Sequence, residues 1–175
     1  PAPALSAPQC AYSLATSTDG CLLATTTVRF EWTPVSGTDH YSINKNGAYA
    51  TMTDTALDII APDFSDYTFE VSAVDADGYA SATSTKTVSV ATIPIAINEI
   101  AWMGTVASTS AEWIEIKNNT GHTIDLSQWA LASSDGKPFI VLAGTIAPRE
   151  YRVLERWLDA TVADATAGQV YGNGG

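Results

Sequence analysis

Residues Ile97 to Leu131, INEIAWMGTVASTSAEWIEIKNNTGHTIDLSQWAL, decide the fold of the second half of this chain. Ile114 and Ile116 alternate with polar residues, which is the spacing of a half-buried β-strand. The sequence NNTG at 118–121 follows and has the composition of a turn. A second apolar group begins at Ile124. The stretch therefore predicts short strands that are joined by turns.

Several motifs in and around this stretch belong together: Asn98-Glu99-Ile100, Trp102, Glu112-Trp113-Ile114-Glu115-Ile116, Asn118, Asp125-Leu126-Ser127 and Trp129-Ala130-Leu131. On these motifs, the region from Ile93 to Gly175 resembles a lamin-tail domain. That family is an immunoglobulin-like β-sandwich found on secreted bacterial proteins. The resemblance implies an exported module and not an enzyme.

The first half of the chain shows the period of two that is typical of strands with one buried face. The sequence predicts turns at Asn46-Gly47, which accepts positive φ in a tight hairpin, and at Asp77-Gly78. The apolar residues of the predicted strands are Val28, Phe30 and Trp32, then Tyr41 and Ile43, Leu57 and Ile59, then Tyr67, Phe69, Val71 and Ala73, and last Val88 and Val90.

The order of these elements, with Trp32 in an early strand and Tyr67-x-Phe69-x-Val71 near the end, resembles a fibronectin type III domain over about Ala7 to Thr92. Tyr67 stands where that family places a corner tyrosine, whose hydroxyl is expected to bond nearby backbone. The loop that contains the cysteines departs from the family.

The best domain boundary lies at Pro94, which lacks an amide donor and favours extended backbone before it. A chain of 175 residues can hold two sandwiches of ordinary size. We therefore expect an all-β protein of two tandem immunoglobulin-like β-sandwiches, residues 1–92 and 93–175, in an elongated arrangement.

The second sandwich is expected to be incomplete. Further strands are predicted at Phe139–Leu142 and Tyr151–Leu154, but the sequence after Trp157 is small, polar and Gly-rich, with no strand evident. An open sandwich exposes unpaired backbone and an apolar face. Either a longer parent protein carries the missing strands or a neighbouring subunit supplies one. The segment Pro1 to Pro8 is a candidate donor strand.

Cys10 and Cys21 are the only cysteines, and Asp19-Gly20 before the second one favours a turn. A disulfide is the natural interpretation, and a pair of reduced, partly buried thiols is the alternative. Disulfides persist in oxidising compartments. With the family resemblance, this predicts a secreted or cell-surface protein of a bacterium.

The net charge of −11 excludes some partners. Residues 1–92 contain 3 Lys and Arg against 10 Asp and Glu, and residues 93–175 contain 5 against 9, so neither half is basic. Nucleic acids are held by clustered Lys and Arg, and therefore we expect no nucleic-acid partner. No apolar run has the length of a membrane span.

The sequence offers no catalytic, cofactor or metal motif. His40 and His122 lack a nucleophile nearby and are expected to be surface residues. Glu112 and Glu115 are three apart, which places them on opposite faces of a strand. Asp75-Ala76-Asp77-Gly78 has the oxygen ligands of a calcium loop without its closing Glu, so an ordinary hairpin turn is favoured. Asn118-Asn119-Thr120 matches the N-glycosylation sequon, although a bacterial protein is expected to carry no ordinary N-glycan.

These observations favour a structural or adhesive module, with itself or another surface protein as partner. A filament subunit that assembles by strand addition is the leading hypothesis. The alternative is an accessory or carbohydrate- and cell-wall-binding module of a larger secreted enzyme. Trp102 and Trp157 are the best candidates for stacking on a sugar, because they lie in irregular stretches, whereas Trp32 and Trp129 have the phase of core residues.

Overall fold

The computed structural model describes residues 1–6, 8, 10–13, 21–104, 106, 108–158, 162 and 166–172. The regular secondary structure of these residues consists of β-strands alone, which confirms the predicted all-β class. The chain forms two compact units. The first contains Pro1–Ser13 and Asp19–Thr92, and the second contains Ile93–Gly175.

The first unit is built from two sheets. Their strands are β1 (Leu5–Ser6), β2 (Tyr12–Ser13), β3 (Cys21–Leu23), β4 (Thr27–Trp32), β5 (His40–Lys45), β6 (Ala48–Met52), β7 (Ala56–Ile60), β8 (Ser65–Val74) and β9 (Ser84–Val90). A three-stranded sheet has the order β1-β4-β7, and a six-stranded sheet has the order β2-β3-β9-β8-β5-β6.

The core of the first unit follows the predicted period of two. In β4 the buried residues are Val28, Phe30 and Trp32, and each alternates with an exposed residue. Phe30 stacks on Phe69 of β8, with 4.6 Å between ring centroids. Trp32 meets the edge of Tyr41 at 5.6 Å. The aromatic rings therefore join the two sheets.

Both predicted turns of this unit are present. Asn46 and Gly47 have φ values of 51° and 97° and connect β5 to β6. After β8, Oδ1 of Asp75 accepts the amides of Asp77 at 3.0 Å and Tyr79 at 2.8 Å. The carboxylate of Asp75 is thus used to close a turn, as the hairpin interpretation predicts.

The N-terminal segment corrects one expectation. Leu5 and Ser6 form β1, which pairs with Trp32 and Glu31 of β4 in the same unit. The carbonyl of Pro3 also accepts the Ser84 hydroxyl at 2.5 Å. The candidate donor segment therefore already pairs with a strand of its own unit.

The predicted disulfide is present and joins Cys10 to Cys21, with 5.0 Å between the Cα atoms. Cys21 begins β3, which pairs in parallel with β9. The disulfide therefore anchors Cys10, which precedes β2, to β3, the strand next to the edge of the six-stranded sheet.

The expected role of Tyr67 is only partly met. Its ring is buried, 6.3 Å from the ring of Phe30. Burial raises the pKa of its hydroxyl. In the described residues of this unit, the hydroxyl of Tyr41 bonds backbone, because it accepts the Val35 amide at 3.1 Å.

The strands of the second unit are β10 (Ile95–Ala101), β11 (Trp113–Asn118), β12 (Ile124–Asp125), β13 (Ala130–Ala132), β14 (Phe139–Val141), β15 (Thr145–Ile146), β16 (Tyr151–Glu155) and β17 (Gln169–Val170). They form a four-stranded sheet in the order β10-β11-β16-β17 and two pairs, β12-β15 and β13-β14. The buried apolar residues are Ile114, Ile116, Ile124, Leu126, Ile140, Leu142, Ile146 and Leu154.

The end of the chain also corrects an expectation. No strand was predicted after Trp157, but β17 pairs in parallel with Leu154 and Glu155 of β16. The signal is weak in the sequence because this strand has two residues and lies among glycines. A short strand thus covers part of the β16 edge.

Polar side chains hold β17 in place. The side chain of Gln169 accepts the Ala143 amide at 3.0 Å and donates to the Val141 carbonyl at 2.8 Å. Arg152 donates to the carbonyls of Thr145 and Gly168. Partial burial lowers the pKa of the Arg152 guanidinium. These contacts connect the four-stranded sheet to the two smaller pairs.

Candidate functional site

The candidate site is the outer edge of β10. In the part of the chain that the structure describes, β11 is the only strand paired with β10. The Asn118 amide donates to the Glu150 carbonyl at 2.9 Å, so Asn118 directs its backbone away from β10. Ile95 lies directly opposite Asn118. Positions along an antiparallel pair alternate between hydrogen-bonded and non-hydrogen-bonded ones, and the pair of Ile95 and Asn118 is non-hydrogen-bonded. The N–H and C=O groups of Ile95 and Ile97 therefore face the open side of β10.

A β-bulge lies in the middle of this edge. The register of β10 against β11 shifts between Ile97 and Glu99. After the shift, Ile100 lies opposite Ile114. Ile100 therefore also directs its backbone outward, and its side chain lies on the same face of the sheet as that of Ile97.

That face is the core face of the sheet, and no described strand of the opposite layer covers it at β10. Ile97 is paired with Ile116, which is fully buried, and Ile100 is paired with Ile114. Nevertheless, Ile97 is 51% exposed and Ile100 is 52% exposed. The alternation of Ile95 and Ile97 in the sequence does not reveal this exposure, which arises because no strand of the opposite layer covers Ile97 in the described part of the chain.

The loop after β10 extends the exposed apolar surface. Trp102 is 71% exposed and Met103 is 66% exposed. Val106 is fully exposed as well. Gly104 makes the turn with φ of 73°, and a Cβ there would lie 2.4 Å from the Ser108 carbonyl oxygen. The turn therefore requires glycine at this position. We call Ile97, Ile100, Trp102, Met103 and Val106 the apolar edge.

The opposite face of β10 carries negative charge. Glu99 lies directly opposite Glu115 of β11. The Asn98 amide donates to Glu115 Oε1 at 2.7 Å. Like charges in this position repel each other across a strand pair. The edge thus combines an apolar inner face with an acidic outer face.

The two glutamates considered from the sequence have different surroundings. Glu112 precedes β11 and forms an ion pair with Arg156. Glu115 bonds Asn98 instead. The structure does not bring their carboxylates together as an acid–base pair.

Asn118 has a structural role that the sequence did not indicate. It is fully buried. Its side-chain amide donates to the carbonyls of His122 at 2.7 Å, Ile146 at 3.2 Å and Ala147 at 2.9 Å. Its Oδ1 accepts both the amide and the hydroxyl of Thr120, each at 2.8 Å. The side-chain nitrogen of the sequon residue Asn118 is therefore buried and hydrogen-bonded to backbone carbonyls. Asn118 thus stabilises the fold.

The remaining candidates from the sequence do not form a site. His40 bonds Asp39 in the first unit at 3.0 Å, and His122 lies in the second unit. Among the described residues, no three His, Cys, Asp or Glu side chains are grouped as metal ligands. No helix in those residues has the length and apolarity to cross a membrane.

Trp102 and Trp157, the proposed sugar-stacking residues, both have exposed surface. Trp157 is 43% exposed, and the guanidinium carbon of Arg156 lies 5.1 Å from its ring centroid. Trp102 belongs to the apolar edge. Trp129, which was expected in the core, is half-buried.

The fold and this edge define the second unit as an immunoglobulin-like β-sandwich module. Residues 89–172 match the family model of the Lamin Tail Domain, which confirms the resemblance seen in the sequence of this half. The fibronectin type III resemblance of the first half stays a prediction.

Comparison with solved structures finds similarity to the chitinase ChiA74 from Bacillus thuringiensis. The two chains are 20% identical, with a TM-score of 0.36, over 81% of this chain and 25% of that chain. The present chain therefore spans about a quarter of the length of the chitinase chain. No curated protein matches the chain.

Proposed function

We propose that this chain is a non-catalytic module of an extracellular or cell-surface protein, with a structural or adhesive role, and that it associates with a protein partner by strand addition at β10. The observation that carries the proposal is the open edge of β10 with the half-exposed Ile97 and Ile100. An uncovered apolar strand in a soluble β-sandwich is a ready template for another strand.

Two further observations support the proposed extracellular location and the proposed role as a module. The Cys10–Cys21 disulfide is compatible with an oxidising compartment. The lamin-tail match covers residues 89–172, about half of the chain, which is compatible with a module of a larger protein. We further propose that this protein is bacterial.

For the first unit we propose a fibronectin type III-like architecture. The sheet β1-β4-β7 and the neighbouring strands β9-β8-β5-β6 support it. The strands β2 and β3 extend the larger sheet beyond β9 and depart from that architecture.

The experiment is a selection of short extended peptides from a random displayed library against the whole chain. The edge-blocked variant is Ile97→Pro, because proline removes an outward amide that takes no part in the β10–β11 ladder. Ile97→Val is the matched control, since it keeps both the amide and the apolar side chain. We expect peptides that bind the wild-type chain and the control but not Ile97→Pro. If no peptide is enriched, or if those enriched bind Ile97→Pro equally, the proposal is wrong.

A filament is the form of this proposal in which a second copy supplies the strand. The segment Pro1 to Pro8 is engaged in its own sheet, so the strand would come from another part of the copy. Sedimentation velocity over a range of concentrations tests this form: association of the wild type that is lost in Ile97→Pro supports it. A monomer at all concentrations contradicts it.

The second candidate function is a carbohydrate- or cell-wall-binding module of a larger secreted enzyme. The exposed indole of Trp102 favours it, because sugars stack on aromatic faces that are free of protein contacts. Co-sedimentation with insoluble polysaccharides and a glycan array, with Trp102→Ala and Trp157→Ala as variants, test it. Binding that either substitution abolishes supports this function, and the absence of binding removes it.

A further inference from the structure

The two faces of β10 specify the chemistry of the strand that would pair with it. We infer that the occupant is an extended segment of a basic protein partner, in which apolar side chains alternate with Lys or Arg. This inference rests on the proposed strand addition and names the partner that the edge fits.

The apolar half of the pattern follows from the inner face. A strand beside β10 places every second side chain over the core face of the sheet. There it would meet Ile97 and Ile100, each of which exposes about half its surface. Their buried partners Ile116 and Ile114 continue the same apolar layer. Apolar side chains in the added strand would remove this surface from water.

The basic half follows from the outer face. Among the described residues, no ion pair involves Glu99 or Glu115, and Glu99 is exposed. The nearest cation on β11, Lys117, pairs in register with Ala96 and has its Nζ 4.8 Å from the Tyr151 ring centroid. A Lys or Arg in the strand added next to Glu99 would lie beside its carboxylate, on the side away from Glu115, and would offset the repulsion between the two carboxylates.

A second copy of the chain fits this edge less well. The seven residues of β10 contain one charged side chain, Glu99, and no Lys or Arg. Two such strands paired with each other would bring acidic outer faces together. The net charge of −11 on each copy adds a repulsion at longer range. The charges therefore favour a different and basic protein.

The test uses two short synthetic peptides of identical length, TVKVKVT and TVEVEVT, each with a fluorescent label. Their binding to the whole chain is measured by fluorescence anisotropy at low and at high salt. The variants are Glu99→Lys, which reverses the charge at the edge, and Ile97→Pro, which blocks the edge. Asp54→Lys, at an exposed turn of the first unit, is the control for net charge.

We expect the basic peptide to bind the wild type about fivefold more tightly than the acidic one, since an exposed ion pair contributes up to about that factor. Glu99→Lys should remove this preference, and high salt should reduce it. Asp54→Lys should leave it unchanged. The Ile97→Pro variant should bind neither peptide.

The outcomes separate the inference from the function on which it rests. Equal binding of the two peptides, lost in Ile97→Pro, overturns the basic partner and leaves strand addition standing. Concentration-dependent dimers that Ile97→Pro abolishes overturn it in favour of a second copy. Absence of binding by both peptides, together with an empty library selection, means that the proposed strand addition itself is wrong.

Discussion

The two units of this chain are stabilised in different ways. The first has a large apolar core in which Phe30 and Phe69 stack between its sheets. The second has a smaller set of buried aliphatic residues, and polar side chains connect its three sheets, above all Asn118 and Arg152. Glu155 is also fully buried there, and its Oε1 accepts the Val162 amide at 3.1 Å.

This difference has a consequence for association. In the first unit, strands with apolar residues at every second position are covered by an opposite sheet. In the second unit the opposite layer consists of two-stranded pairs, and it leaves the core face of β10 open at Ile97 and Ile100. A unit that is held together by directed hydrogen bonds can remain folded with such a strand uncovered, so the apolar edge is available to a partner.

The largest effect is expected in the apolar core of the first unit. Phe30→Ala should lower the free energy of unfolding of that unit by about 4 kcal/mol, because it removes a fully buried ring and leaves a cavity. Hydrogen exchange followed by mass spectrometry can measure this for each unit separately. Exchange in peptides of the second unit should not change. Faster exchange in both units would show that their stabilities are coupled and would weaken the comparison.

The next effect is expected at the polar centre of the second unit. Asn118→Ala should destabilise that unit by about 3 kcal/mol, since it leaves buried carbonyls and Thr120 without their partner. Denaturant unfolding, followed by hydrogen exchange in peptides from the second unit, measures the change. Asn119→Ala is the control, because among the described residues the Asn119 side chain makes one bond, to the Ile93 carbonyl. Equal effects of the two substitutions would mean that Asn118 has no special role.

The disulfide is expected to act only on the first unit. Replacing both Cys10 and Cys21 by Ser should destabilise that unit by about 2 to 3 kcal/mol, because the reduced chain has more freedom when unfolded. Reduction of the wild type should give the same loss, and the thermal midpoint with and without reductant measures it. A shift confined to the second unit would contradict this assignment.

A smaller effect is expected at Arg152. Arg152→Met keeps the aliphatic part of the side chain but loses the bonds to the carbonyls of Thr145 and Gly168, which should cost about 1 to 2 kcal/mol. The loss should appear first as faster exchange of the Gly168 and Tyr171 amides, which bond β16. Unchanged exchange there would show that β17 is held by Gln169 alone.

The sequence predicted the strands of the first unit well because burial on one face requires a period of two. The exposure of Ile97 could not be predicted from the sequence, because a strand has the same apolar pattern whether or not an opposite sheet covers it. The role of Asn118 was missed because its neighbours have the composition of a turn. Its position did hold a signal, since Asn118 continues the inward phase of Ile114 and Ile116. The contacts of Gln169 join residues that are distant in the chain, and no local pattern reports them.

The smallest effect is expected at the surface, where an aspartate in each unit accepts hydrogen bonds from a Ser or Thr residue. In the first unit, the carboxylate of Asp63 accepts the hydroxyl of Thr92 at 2.5 Å and its amide at 2.9 Å, and these bonds lower the pKa of Asp63. In the second unit, Asp125 accepts the Ser127 amide at 2.9 Å, and this bond lowers the pKa of Asp125.

A carboxyl group whose pKa is depressed by folding stabilises the folded state above its unfolded pKa, which is close to 3.8 for both residues. That contribution is lost as the pH falls through the lower, folded value. We therefore expect carbon NMR titrations of both side chains to show midpoints below 3.8, and Asp63→Asn and Asp125→Asn should each flatten the acid loss of stability in their own unit only. A midpoint at or above 3.8 for one residue would mean that its hydrogen bonds do not persist in solution. The two units would then differ at the surface as they do in the core.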